Sequence, residues 1–175
     1  MLGAQIKSEA DIEIEYLANH TDVVTELVTN EGTIALLPQP HVTVAESKNE
    51  KVQIALDLNE AWESQEGTQL PMGVIVGNKA YVDSHEAEIT SFLEVYADSV
   101  KFANNNIEEA AQMMADQGIL PSKEIAMEAI PNCHMTYIEG KGSKADLEQF
   151  YTILQEVNPQ SIGGGLPDEI FYYGQ

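Results

Sequence analysis

Hydrophobic and polar positions follow two different periods along the chain. From Asp11 to Leu17 they alternate, with Ile12, Ile14 and Tyr16 on one face and acids on the other. Period-two alternation predicts a strand with one buried face. After Asn19-His20-Thr21, with Thr21 as its expected N-cap, a helix follows that carries Val24, Leu27 and Val28 on one stripe. Gly32 suits the left-handed turn beyond it. Thr33 to Leu37 and Val52 to Leu58 read as apolar strands, separated by Pro38-Gln39-Pro40 and a short helix over His41 to Ser47. Gly73 to Asn78 reads as a further strand. In an open sheet covered by helices, ligands bind outside the strand C-termini. That rule directs attention to the loops Asn19-His20-Thr21 and Pro38-Gln39-Pro40.

From His85 the period becomes helical. Ile89, Phe92, Leu93, Tyr96 and Val100 form one stripe over His85 to Asn104. Further helices are expected at Ile107 to Gln117, from Pro121 to Pro131, and from about Ser143 to Val157. The tail, Ser161 to Gln175, is rich in Gly and aromatic residues. The expected organisation is an α/β substrate-binding lobe over residues 1–78 and a mainly helical part over 79–175. The helices of that second part need an apolar sheet to cover, which the chain itself barely supplies.

Composition narrows the function. Of 175 residues, 43% are apolar, enough for a core. Eight Lys and Arg stand against 29 Asp and Glu, a formal net charge of -21. No basic patch exists to neutralise phosphates, so nucleic acid is not an expected partner. A single cysteine, Cys133, excludes an internal disulfide and a Cys-based zinc cluster. The four histidines, His20, His41, His85 and His134, show no metal-ligand spacing, and neither a metal nor a cofactor is expected. Adjacent Cys133 and His134 point apart and do not suit a nucleophile pair. Gly163 to Gly165 lacks the Lys and Ser/Thr of a phosphate loop. Trp62 is either packing between loops or an aromatic wall for a flat ligand. Gln39, between two prolines, is either a surface turn or a pre-positioned hydrogen-bonding group.

Five stretches carry a resemblance: Ile14 to Val24, Ala35 to Pro40, Met72 to Val76, Ala129 to Gly140 and Asn158 to Tyr173. In that order they resemble the second lobe of ABC-transporter substrate-binding proteins of the nitrate, sulfonate, taurine and thiamine-precursor branch. The resemblance implies a type II periplasmic-binding-protein-like α/β fold, with C-terminal helices that would cover a missing first lobe. It implies ligand contacts at Asn19, His20, Thr21, Pro38, Gln39 and Pro40, with Trp62 as a further contact. The implied function is capture of a small organic or anionic solute without chemistry, for delivery to an ABC permease. Such a lipoprotein or periplasmic receptor sits outside the bacterial membrane, its export signal removed from this sequence. Uncovered apolar faces would favour a homodimer. The alternative is an enzyme on the same fold, in thiamine-precursor or menaquinone metabolism.

Overall fold

The structure, a computed structural model, describes residues 13–174. Eight α-helices follow one another among them: α1 (His20–Thr29), α2 (His41–Lys48), α3 (Leu58–Glu66), α4 (Lys79–Ser84), α5 (Glu86–Asn105), α6 (Ile107–Asp116), α7 (Lys123–Asn132) and α8 (Gly140–Val157). Two short 3-10 turns, Pro159–Ile162 and Glu169–Phe171, complete the tail. The described residues divide into two compact units, one of residues 13–53 and 111–133, the other of 54–110 and 134–174.

The first unit is built on α1, α2 and α7. Asn19 rather than Thr21 caps α1, because its Oδ1 accepts the Asp22 N–H at 2.9 Å while its Nδ2 donates to the Asp22 carboxylate at 2.7 Å. The α1 and α2 helices lie side by side and run the same way. The His20 and His41 rings meet at their N-termini, and Asn49 Nδ2 donates to the Val28 carbonyl at their C-termini, at 3.1 Å. Val24, Thr43, Ala45, Ala111, Ala126, Ala129 and Ile130 are the unit's buried side chains. Four of these seven are alanine, which lets helix backbones approach closely and leaves little slack volume.

In the second unit, α8 and the tail clasp each other. Lys144 forms ion pairs with Glu169 of the tail and, at 3.8 Å, with Glu148 one turn along its own helix. Its ammonium lies 5.5 Å from the centre of the Tyr172 ring, which is buried. Gly140, at the start of α8, is the point of closest approach: a Cβ there would stand 2.8 Å from the Tyr173 carbonyl oxygen. Trp62 of α3 meets Phe150 of α8 edge-on at 5.5 Å. Gln149 Nε2 donates to the Glu66 carbonyl at 3.2 Å. Along α5, Asn104 Nδ2 donates to the Met135 carbonyl at 2.8 Å and Tyr96 meets the Tyr137 ring.

The expected α/β fold does not form. No strand occurs among the described residues, and this overturns the periplasmic-binding-type second lobe and its covering helices. Residues 13–17, 33–37, 52–56 and 73–77 carry no regular structure, and Asp11 and Ile12 lie outside the described residues. The physical reason is partnership. Alternation or a short apolar run favours a pleated segment, but a strand exists only when a neighbour satisfies its N–H and C=O groups. Residues 33–37 and 70–77 exchange no backbone hydrogen bonds among the described residues. Ile34, Leu36, Ile54, Leu56, Val74, Ile75 and Val76 are accordingly exposed.

Candidate functional site

Helix geometry collects most of the expected contact residues at one place. Asn19, His20 and Thr21 start α1, and Pro38, Gln39 and Pro40 lead into α2, so the parallel pair brings both groups to its shared N-terminal end. The His20 and His41 ring centroids are 4.8 Å apart. His20 is exposed and His41 half-buried. His41 is the site residue that the sequence does not single out: it reads as the start of a short helix and shows no metal-ligand spacing. Its position immediately after Pro40, opening a helix, was the available signal.

Gln39 anchors this end. Its Oε1 accepts from the Thr43 hydroxyl at 2.9 Å and from the Thr43 N–H at 3.3 Å. Pro40, in the N-cap position, makes no side-chain cap of its own, so the preceding glutamine caps α2 instead. Thr43 is 1% exposed and therefore needs that acceptor. The turn into α2 is closed by the His41 N–H donating to the Pro38 carbonyl at 2.9 Å, and the Gln39–Pro40 peptide is cis.

Burial holds the His41 imidazole below its usual pKa, and the neighbouring His20 adds to the effect. A lowered value leaves His41 neutral near physiological pH, with a ring nitrogen free to take a proton. Two helix N-termini lie beside it with their partial positive charge, although in α2 the His41 and Val42 N–H groups already donate to Pro38 and the Thr43 N–H to Gln39, and in α1 the Asp22 N–H donates to Asn19. The site therefore offers proton transfer and the positive field of two helix ends to a ligand with negative charge.

Trp62 belongs to the second unit. With Leu58, Ala61, Gln65 and Leu70 it lines an open cleft of about 310 Å³. A second cleft of about 310 Å³ lies between α8 and the tail, lined by Tyr151, Leu154, Ile162, Pro167 and Phe171 among others. Burial pushes the Cys133 thiol up, which keeps it protonated and poorly nucleophilic. Among the described residues no three His, Cys, Asp or Glu side chains gather in a way that could hold a metal ion. No described helix is long and apolar enough to cross a membrane.

The profile of a family described as menaquinone biosynthesis matches residues 21–156. No curated protein and no solved structure matches the chain. The family match overturns four expectations drawn from the resemblance. The family is not that of ABC-transporter substrate-binding proteins; a biosynthetic family replaces a non-catalytic receptor; an ABC permease loses its basis as partner; and nothing remains to support a transport lipoprotein. The motifs behind the resemblance are short stretches of loop, helix end and tail, and such local similarity carries no chemistry by itself. The alternative in menaquinone metabolism agrees with the match.

Proposed function

Because the chain belongs to the menaquinone biosynthesis family, we propose that it is a biosynthetic enzyme acting on a small anionic intermediate at the shared N-terminal end of α1 and α2. The observation that carries this reading is the contact between His20 and His41 at 4.8 Å, with His41 held neutral. His41 acts as the general base, and the exposed His20 ring lies beside it to relay the proton to solvent. The helix N-termini favour a carboxylate on the substrate, which matters in a chain whose net charge of -21 otherwise repels anions. Gln39 fixes the first turn of α2 through Thr43, and its amide Nε2 has no partner among the described residues, so it remains free to donate to a ligand.

The test is complementation. In cells lacking this gene and unable to make menaquinone, the wild-type chain restores menaquinone, measured by mass spectrometry. His41→Phe keeps an aromatic ring of similar volume and removes the base. It is expected to leave menaquinone near background although the protein accumulates normally, since loss of a general base costs about a hundredfold or more in rate. Full menaquinone content with His41→Phe would overturn the assignment of this site. Failure of the wild-type chain to restore any menaquinone would overturn the biosynthetic reading itself.

A further inference from the structure

Trp62 is the chain's one tryptophan, and its indole is fixed on two sides. Its Nε1 donates to the Thr68 hydroxyl at 3.3 Å, and Phe150 meets the ring at 5.5 Å and 62°. A half-buried indole held in this way loses little further freedom when something packs against it. The cleft it lines is walled otherwise by Leu58, Ala61 and Leu70, with one amide, Gln65. A volume of about 310 Å³ is at the small end of ligand sites and admits a molecule of one or two fused rings.

Charge decides which rings fit. The α3 helix that supplies most of the cleft carries Glu60, Glu63 and Glu66, is capped by Asp57, and contains no Lys or Arg. An anionic ring would meet carboxylates at every turn of that helix, whereas a neutral ring meets only their weak field. We infer that Trp62, Leu58, Ala61, Gln65 and Leu70 form a subsite for a neutral planar aromatic ring. The ring stacks against the indole and packs on the two leucines, and Gln65 offers one donor and one acceptor to a polar edge. This subsite stands in the second unit and does not depend on the histidine pair or on its proposed role.

A single tryptophan makes the test site-specific. Full-length protein grown with 5-fluorotryptophan gives one fluorine resonance, followed while 2-naphthamide or the near-isosteric anion 2-naphthoate is added. The expected result is a saturable shift with the amide, binding at least about threefold tighter than the carboxylate at low salt, with the gap narrowing as salt screens the glutamates. Ala61→Phe, which fills the cleft, should abolish the shift in protein whose helical circular dichroism is unchanged. Should that variant fail to fold, Gln65→Glu takes its place, with weaker amide binding and a wider gap between the two probes expected. No saturable shift with either probe, equal or tighter binding of 2-naphthoate, or an undiminished shift in the folded variant would each overturn the subsite.

Discussion

The amide oxygen of Gln39 is already occupied by Thr43, so this residue holds the α2 helix whatever else it does. Removing it takes away an N-terminal cap and leaves a hydroxyl at 1% exposure without an acceptor. Gln39→Ala is expected to lower stability by about 1–2 kcal/mol, read by urea denaturation of the purified protein. Gln39→Glu keeps the acceptor oxygens and should recover most of that loss. A Gln39→Ala variant as stable as wild type would show that the cap contributes nothing. The sequence raised Gln39 as a surface turn or a pre-positioned hydrogen-bonding group, and the bonds its side chain makes here go to Thr43. What the sequence could not express was the partner, because a buried threonine four residues ahead looks like any other helix residue until the helix is packed.

At the scale of elements, the helices were legible except α3 and α4, and the segments between them were not. The apolar stripe of α5 placed it at His85 to Asn104 against an observed Glu86–Asn105, and α6 was found to within one residue at its end. A helix closes its backbone hydrogen bonds within its own segment and shows its packing face as a stripe, so its pattern is contained in the residues themselves. The α3 helix escaped because Asn59 to Gln69 is polar, yet its punctuation was present. Asp57 accepts the Asn59 and Glu60 N–H groups at its start, and Gly67, with φ of 71°, ends it in the left-handed conformation. Strands failed for the opposite reason, since their stability lies in a neighbour that a one-dimensional pattern does not display. The two loops singled out as strand ends therefore have a different place in the fold: they begin helices and do not end strands.

The clasp between α8 and the tail makes the stability of the second unit depend on alkaline pH. The hydrogen bond to Glu169 raises the Lys144 pKa, and burial raises that of Tyr172. For both groups the folded chain holds its proton more tightly than the unfolded one. Their contribution is complete below the ordinary lysine and tyrosine range, near pH 10, and is lost as pH rises through and above it. Unfolding followed by Trp62 fluorescence should show stability flat from about pH 7 to about pH 9 and falling beyond about pH 10. Lys144→Met should make that fall shallower. A fall that is unchanged in the variant would remove Lys144 as a contributor.

For the molecule as a whole, the exposed apolar segments are the largest departure from an ordinary surface. Residues 70–77 are uncharged, and Val74, Ile75 and Val76 stand in solvent with no backbone partner among the described residues. Such a stretch is a template for intermolecular pairing, held back here by a net charge of -21. Aggregation on mild heating, followed by light scattering, is expected to accelerate with added salt, which screens that charge. Val74→Lys should slow it severalfold by placing a charge inside the segment. An unchanged rate in the variant would move the origin of aggregation elsewhere in the chain.

The division of the first unit into two separate stretches of chain bears on the order in which it is made. The α1–α2 pair leaves the ribosome before α7, whose Ala126, Ala129 and Ile130 follow roughly eighty residues later, a delay of about four to sixteen seconds at ordinary rates of synthesis. During that interval Val24, Thr43 and Ala45 await their lid. The nascent chain passes through a period of vulnerability to chaperones and proteases that no mature copy experiences.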